Sequence, residues 1–325
     1  MDLSKLQERI KIAYTLGDIA GIGPEIFEKF TNELALSPYK DLIEIILIDD
    51  LLDFEIKKQF VKMGEPSEIS GEHSISTLIK ANELALKNEI DFLVTGPVSK
   101  ESLHMAGDSS SGQTEFLAKL NGLNRDEVEM FFACGDFLTV LATRHVAIKD
   151  VSEELKLKFR KTITNSIHAL KKVFNITNPN IAVAGLNPHC GENGLIGKEE
   201  LEFMGEEIEN LNKEFSSTYV SKVQAADSLF AQAGQEYLQK KKQSYDLYVA
   251  AYHDQALPVI KTVAGFNAVN LTVGLPYVRV SVDHGTAFEI VGKNKASSES
   301  LKACTEFCLK LAEIRKGVAL FGNFG

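Results

Sequence analysis

Residues 181–189 read Ile-Ala-Val-Ala-Gly-Leu-Asn-Pro-His, an apolar run followed at once by turn residues and a histidine. Such a short, apolar and partly β-branched run predicts a strand buried on both faces. The same arrangement recurs at 92–97, 138–145 and 247–254, and amphipathic stretches of helical length separate the runs. This alternation indicates an α/β fold with largely parallel sheets flanked by helices.

The predicted elements cover most of the chain. The predicted strands are 12–15, 43–48, 92–95, 130–133, 138–143, 181–186, 247–252 and 269–273. The predicted helices are 24–32, 75–87, 114–120, 152–173, 198–211, 227–239 and 297–315. Because 325 residues exceed what one hydrophobic core usually supports, we expect two α/β lobes, 1–135 with 275–325 and 136–274.

Composition excludes several classes of protein. The formal net charge of −10 argues against general nucleic-acid binding, which requires a basic face. The N-terminal residues lack the apolar core of a signal peptide, and no run reaches the length of a membrane helix. The four cysteines form no CxxC pair, which favours buried, reduced thiols. We therefore expect a cytoplasmic protein that does not associate with membranes.

Three of the seven histidines stand out by position. His145, His189 and His253 each follow an apolar run where a strand should end, whereas His73, His104 and His168 have ordinary polar or helical surroundings. Ligands of open parallel sheets bind beyond the carboxyl ends of the strands. Three imidazoles there could hold one metal ion with positions open for substrate. Spacing alone leaves equally open that each histidine packs against its own loop.

Two loops and a set of polar residues suggest anionic ligands. Residues 17–25 form a glycine-rich turn into a helix, but they are not GxGxxG, so a tight turn is at least as good an interpretation. Residues 281–287 are polar and could surround a nucleotide. Lys261, Asn270 and Arg279 interrupt an apolar stretch, and a buried cation without a partner is costly.

Seven motifs, in order, resemble the 4-hydroxythreonine-4-phosphate dehydrogenase family of pyridoxal phosphate (vitamin B6) biosynthesis. The motifs are GIGPE (21–25), GPVSK (96–100), TEF (114–116), GLNPH (185–189), YHDQ (252–255), GLP (274–276) and SVDHGTA (281–287). The resemblance spans nearly the full length. It implies a fold similar to that of the isocitrate and isopropylmalate dehydrogenases, which bind dinucleotide without GxGxxG.

The resemblance also implies roles for individual residues. It implies a divalent ion (zinc, cobalt or magnesium) on His145, His189 and His253. The implied substrate contacts are Gln113, Thr114, Lys261, Asn270 and Arg279. The implied loop for NAD or NADP consists of Asp283, His284, Gly285, Thr286 and Ala287. It further implies a homodimer whose active sites draw residues from both subunits, with metal ligands and dimer contacts in the second lobe.

The implied reaction is the metal-dependent oxidation and decarboxylation of 4-phosphooxy-L-threonine to 3-amino-2-oxopropyl phosphate. Asp227, Asp254 or a water on the metal ion could be the general base. One departure affects substrate choice, because Gln113 stands where the family commonly has a histidine, and glutamine carries no charge. The alternatives are a dehydrogenase of a related acid phosphate such as 4-phospho-erythronate, a metal-dependent hydrolase, an acyl-phosphate transferase and a non-catalytic binding protein.

Overall fold

The structure is a computed structural model that describes residues 9–49 and 51–317, without the side chains of residues 51–53 and 266. The chain divides into two compact units. The first contains the described residues up to 128 together with 269–317, and the second contains 129–268. The chain thus changes units at the first residues of two strands, whereas the sequence-based division was set after residues 135 and 274.

The described strands and helices follow the predicted alternation. The strands are β1 (Ile10–Thr15), β2 (Ile43–Leu47), β3 (Phe92–Thr95), β4 (Glu129–Cys134), β5 (Phe137–Leu141), β6 (Asn180–Ala184), β7 (Tyr219–Gln224), β8 (Leu247–Ala250), β9 (Val269–Val273) and β10 (Arg279–Val282). The α-helices are α1 (Gly23–Ala35), α2 (Leu51–Lys58), α3 (Glu68–Leu86), α4 (Lys100–Met105), α5 (Gln113–Leu120), α6 (Val151–Val173), α7 (Gly205–Glu214), α8 (Ala226–Leu238), α9 (His253–Ala264) and α10 (Glu299–Lys316).

Both units are built on mainly parallel strands. In the first unit the strand order is β2-β1-β3-β10-β9, and only the β9–β10 pair is antiparallel. In the second the order is β4-β5-β8-β6-β7, and only the β4–β5 pair is antiparallel. The predicted α/β class with a largely parallel sheet is confirmed. The order of β5, β8 and β6 is important for the site, because adjacent parallel strands end at the same edge.

Each unit has its own apolar core. In the first, Ala13 and Leu93 contact Leu78 and Ala81 of α3 and Leu117 of α5. In the second, an apolar cluster joins β4, β5, β6 and β8 to helices α8 and α9. Buried strands against amphipathic helices keep the strand ends, and the loops that follow them, in fixed positions.

Five elements escaped sequence reading, namely β7, β10, α2, α4 and α9. The edge strand β7 reads Tyr-Val-Ser-Lys-Val-Gln, and only three of its six residues are apolar. The four residues of β10 begin with a charged side chain, Arg279. Helix α9 contains Pro258, and a proline normally predicts a break inside a helix. Pro258 is the sixth residue of α9, and the helix continues through it with Leu257 and Ile260 packed in the core of the second unit.

The expectations for the cysteines and for His73 were met only in part. Cys134, Cys304 and Cys308 are buried thiols, as expected, whereas Cys190 is only half-buried, and none of the four is in a disulfide. His73 is fully buried beside Asp49 at 3.6 Å, rather than partly exposed at the surface. Within the described ranges, no helix is both long enough and apolar enough to cross a bilayer.

Candidate active site

Three neighbouring parallel strands carry the three singled-out histidines. Strand β8 lies between β5 and β6, with Leu141 opposite Ala250 and Val183 opposite Val249. His145 comes four residues after the end of β5, His253 three after the end of β8, and His189 five after the end of β6. The topology therefore delivers all three loops to one edge of the second unit.

His145 and His253 are brought together. Thr143, just after β5, bonds to the carbonyl of Ala251 through both its amide and its hydroxyl, at 3.1 and 2.8 Å. These bonds fix the end of β5 to the end of β8, and the two imidazole rings lie with centres 5.9 Å apart. Because imidazole nitrogens bind zinc at about 2.0–2.1 Å, rings at this separation can share one ion.

A buried carboxylate anchors the chain next to His145. Glu129 of β4 is 3% exposed, lies 3.8 Å from the guanidinium of Arg144 and accepts a hydrogen bond from Asn165 of α6 at 3.1 Å. Burial raises the pKa of Glu129, although the Arg144 charge opposes the shift. His145 itself has a left-handed backbone, with φ at 49°. Sequence reading missed Glu129, which is a charged residue at the start of a strand.

His253 is oriented by its neighbour. Its Nδ1 atom lies 2.6 Å from Oδ1 of Asp254, which leaves the Nε2 atom directed away from the carboxylate. A carboxylate on one ring nitrogen fixes the orientation of a histidine that binds metal through the other. His253 is also the first residue of α9.

His189 lies in an unusual loop. Residues 189–193 all have positive φ, between 45° and 75°, and four of the five are not glycine. Glu200 holds the loop start, accepting bonds from the Asn187 amide at 2.8 Å and from its side chain at 3.0 Å. Such a run is strained and persists only where its surroundings fix it.

A cavity of about 380 Å³ opens beside this loop. It is lined by Leu186, Asn187, Pro188, His189, Ala226, Asp227, Tyr252 and Gln255. Gln255 connects its walls, because its amide donates to Gly185 O at 2.6 Å and accepts from Ala251 N at 2.8 Å. Asp227, in the first turn of α8, is thus next to His189, whereas Asp254 is next to His253.

The donor set fits a metal ion in part. His145 and His253 suit a common ion by distance and by chemistry. However, no group of three or more His, Cys, Asp or Glu side chains in the described chain is arranged to hold one. The strand that precedes His189, β6, is adjacent to β8, which precedes His253. His189 nevertheless does not complete a three-ligand site with His145 and His253.

In the first unit, the predicted substrate contacts centre on Arg279. The side chain is 2% exposed. Its Nε and one Nη donate to Thr95 Oγ1 at 3.0 and 2.7 Å, and the other Nη donates to Thr114 Oγ1 and Thr272 Oγ1 at 3.0 and 2.9 Å. Burial lowers the pKa of Arg279 to about 10. It forms no ion pair with any described residue, so a buried positive charge is held only by hydroxyl groups.

Asn270 and Gln113 lie beside this arginine. Ser281, two residues after Arg279, is paired with Asn270 on one side and with Thr95 on the other, so these side chains share a sheet face. The Oδ1 atom of Asn270 and the Oε1 atom of Gln113 are buried without a described hydrogen-bond partner. The Nε2 atom of Gln113 donates to Gly96 O at 3.0 Å.

Lys261 is on helix α9. It lies in the last turn of α9, in the second unit, and is exposed. Eight residues separate it from His253, which is about 12 Å along a helix. Sequence reading found Arg279, Asn270 and Thr114. It missed Thr95 and Thr272, which lie on the strands that flank β10 and which nothing in the local sequence distinguishes from other threonines.

The two loops suggested by sequence contact each other. The Ile22 amide donates to Thr286 O at 3.0 Å, and a Cβ atom on Gly21 would lie 3.0 Å from Thr286. In the second loop, His284 Nδ1 lies 3.0 Å from Gly285 O, and Ala287 has a left-handed backbone. Asp283 and His284 have partly exposed or exposed side chains. The glycine-rich turn therefore supports the 283–287 loop.

Asp18, in that glycine-rich turn, was given little weight from the sequence. It is fully buried, and its carboxylate accepts hydrogen bonds from Ser102 at 2.6 Å, Ser70 at 3.2 Å and the Ala20 amide at 2.9 Å. Burial raises the pKa of Asp18 from its ordinary value, and the hydrogen bonds oppose the shift. A single carboxylate thus connects the turn after β1 to α3 and α4.

Comparison with known proteins agrees with these features. Residues 24–308 match the family of the pyridoxal phosphate biosynthetic protein PdxA. The chain belongs to this family. The resemblance drawn from the seven motifs is therefore confirmed, and the chain is a dehydrogenase.

Individual relatives cover nearly all of the chain. A 4-hydroxythreonine-4-phosphate dehydrogenase of Zymomonas mobilis is 35% identical, over 95% of this chain and 97% of its own. A D-threonate 4-phosphate dehydrogenase of Pectobacterium atrosepticum is 32% identical, over 93% and 99%. The crystal structure of a 4-hydroxythreonine-4-phosphate dehydrogenase from Klebsiella pneumoniae superposes with a TM-score of 0.77 at 29% identity, covering 94% and 100%.

Proposed function

We propose that the protein oxidises and decarboxylates 4-phosphooxy-L-threonine to 3-amino-2-oxopropyl phosphate, with NAD or NADP as oxidant and a divalent cation as cofactor. The observation that carries the proposal is the pair of imidazoles of His145 and His253, 5.9 Å apart at the end of parallel strands in a member of this family. Such a pair suits a Lewis-acid ion.

His145 and His253 would hold the ion, and His189 would be the third ligand. A divalent ion there would act as a Lewis acid, assisting loss of the proton from the substrate hydroxyl and electron withdrawal during decarboxylation. Asp254 would keep His253 in the orientation required, through the 2.6 Å contact with its Nδ1 atom. Zinc, cobalt and magnesium all remain compatible with this role.

The substrate carries a phosphate and a carboxylate, which require positive charge and hydrogen-bond donors. We assign Arg279, Thr114, Asn270, Gln113 and Lys261 to these groups. Arg279 supports this assignment most directly, because it is a buried cation with no described carboxylate partner, and an anion would offset the cost of burying it.

The reaction requires removal of the hydroxyl proton, transfer of a hydride and, after loss of CO2, addition of a proton. Asp227, which lines the cavity beside His189, is the proposed proton acceptor for the substrate hydroxyl. A nicotinamide cofactor, when bound, would accept the hydride from the same carbon, so that the alcohol is oxidised to a ketone and NAD(P) is reduced to NAD(P)H. Residues 283–287 are the proposed site for the adenosine half of the dinucleotide. The β-keto acid then loses CO2, and a proton replaces the carboxylate.

A homodimer with shared active sites is part of the proposal. Several large apolar side chains of the second unit are exposed, which is unfavourable unless another surface covers them. They are Ile148 (70%), Leu157 (78%), Leu195 (85%) and Leu201 (62%). If a second copy covers Leu195, the loop of His189, which precedes Leu195 in the chain, would lie close to the partner.

One relative supports a second candidate substrate. Gln113 replaces the common histidine, and the Pectobacterium relative is named for D-threonate 4-phosphate, an acid that lacks the amino group. A hydroxy-acid phosphate of the threonate or erythronate type is therefore the alternative. The chemistry at the metal and the nicotinamide would be the same.

The variant His253→Ala tests the metal site. It should lose cobalt binding and nearly all formation of NADH while remaining folded, because one of two adjacent imidazoles is gone. The matched control is His168→Ala on α6, which should retain both. Full activity and unchanged cobalt affinity in His253→Ala would contradict the assignment.

A further inference from the structure

The GPVSK motif (96–100) ends in a lysine, Lys100. Lys100 is the first residue of α4 and is exposed. It forms no hydrogen bond or ion pair with any residue in the described part of the chain. Its side chain runs toward the start of α5, since Cε lies 3.8 Å from the position that a Cβ atom on Gly112 would occupy.

The start of α5 is rich in unused donors. Phe116 makes the first intrahelical bond, to Gly112 O at 3.0 Å, and no side chain caps the helix. The amides of residues 113–115 are thus available, and the helix dipole adds partial positive charge there. Thr114, in this first turn, is one of the threonines bound to Arg279.

Arg279 would act on a bound anion through its charge and through Thr114 more than through hydrogen bonds of its own. Four of its five N–H groups already donate to Thr95, Thr114 and Thr272. A threonine oxygen that accepts these bonds keeps its own O–H for donation. Arg279 therefore leaves the Thr114 hydroxyl as a hydrogen-bond donor. A doubly charged anion bound there would need a second cation in direct contact.

Glu115 is the carboxylate nearest to this position, with Oε2 3.5 Å from the Gly112 Cβ position. Its other oxygen lies 3.7 Å from the guanidinium of Arg125, so its charge is largely matched. Its presence does not remove the need for an anion, because Arg279, Lys100 and the helix start together carry more positive than negative charge.

We propose that Lys100 is a further substrate-binding residue, and that its ammonium group, the amides at the start of α5 and the Thr114 hydroxyl together bind the phosphoryl group. This inference rests on the proposed function. A phosphoryl group suits the site because it offers three acceptor oxygens to several donors, and lysine acts on phosphate as a mobile point charge. Lys100 supplies the charge that Gln113, in place of histidine, does not.

Isothermal titration of 4-phosphooxy-L-threonine, with cobalt and without NAD(P), tests the inference. Lys100→Met should weaken binding about 10- to 100-fold, as expected for loss of a charge-assisted contact. Lys100→Arg should bind within about threefold of wild type because it keeps the charge. Lys119→Met, which removes an exposed lysine at the end of α5, is the control and should bind normally. In turnover, Lys100→Met should raise KM and leave kcat nearly unchanged.

Two further titrations identify the group that is bound. Inorganic phosphate should compete with substrate in wild type and lose affinity in Lys100→Met, whereas 4-hydroxy-L-threonine should bind both proteins equally. Equal binding of 4-phosphooxy-L-threonine by Lys100→Met and Lys119→Met would overturn the role of Lys100. An equal loss for 4-hydroxy-L-threonine would overturn its assignment to the phosphoryl group. If wild type binds no 4-phosphooxy-L-threonine, the proposed function fails, while the phosphate titration still decides the role of Lys100.

Discussion

Arg279 is a guanidinium held by three threonine hydroxyls inside the first unit. Its pKa of about 10 keeps it charged at neutral pH, so its desolvation is a standing cost to the fold. Proteins usually offset such a charge with a carboxylate, and here the described residues provide none in contact. An anionic substrate would supply the missing partner. Arg279 therefore lowers the stability of the free protein but strengthens the binding of an anion.

Arg279→Met should therefore separate binding from stability. The variant should bind 4-phosphooxy-L-threonine at least about 100-fold more weakly, since both the charge and the orientation of Thr114 are lost. Its melting temperature should change by only a few degrees, because relief of desolvation offsets the lost bonds to hydroxyls. Calorimetric titration and thermal unfolding measure the two effects. Unchanged substrate affinity would contradict the role given to Arg279.

Asp18 provides a pH-dependent test of its buried position. Its folded pKa is raised, so the folded protein binds the proton more tightly than the unfolded chain does. The carboxyl group therefore contributes most to stability below its ordinary pKa of 3.8, and this contribution is lost as pH rises through the folded pKa.

Asp18→Asn should remove this dependence because asparagine does not ionise. The free energy of unfolding of wild type minus that of Asp18→Asn should fall as the pH rises from about 4 to 7. Denaturant titrations at several pH values measure the difference. A difference that rises with pH would mean that the three hydrogen bonds to Asp18 outweigh desolvation and that its folded pKa is depressed.

At the scale of elements, close packing of α3 against α4 holds the side chains that bond to Asp18 in place. Gly71 of α3 lies so close to α4 that an added Cβ atom would be 1.9 Å from Ser102 O. Ser102 is also the donor of the shortest bond to Asp18. The glycine is thus required by close packing between helices and not by backbone freedom.

Gly71→Ala should destabilise the protein by about 2 kcal/mol or more, because the helices must separate. Helix propensity alone would predict the opposite sign, a gain of about 1 kcal/mol. Gly234→Ala in α8 is the control, since its Cβ would meet only the movable side chains of Val259 and Val263 at 3.3 and 3.5 Å. Denaturant unfolding compares them, and equal stability of the two variants would disprove the packing argument.

At the scale of the whole molecule, sequence predicted what depends on local pattern. Buried strands such as Ile181–Ala184 are apolar throughout and were recognised with the correct type. The strand β10 and the helix α9 were missed because their local sequences contain Arg279 and Pro258. Their structure is decided by pairing with β3 and β9 and by packing of α9 against the second core.

The site was predictable only where strand ends carry distinctive residues. His145 and His253 follow β5 and β8, which are neighbours only because of the strand order, and no sequence spacing reports that order. The threonines around Arg279 and the carboxylates of Asp18 and Glu129 are common residue types, so their burial had no local signal. Family motifs named several site residues, but the contacts between them required the fold.

The central claim is that two adjacent imidazoles hold an ion that a nicotinamide-linked oxidation requires. The most direct measurement is NAD(P)H formation with 4-phosphooxy-L-threonine, beside 4-phospho-D-erythronate and D-threonate 4-phosphate, before and after treatment with a chelator. We expect NAD(P)H with 4-phosphooxy-L-threonine, its loss after chelation and its return with zinc, cobalt or magnesium. Oxidation that persists in the chelated, metal-free enzyme, or folded protein that oxidises none of the three acids, would contradict the account.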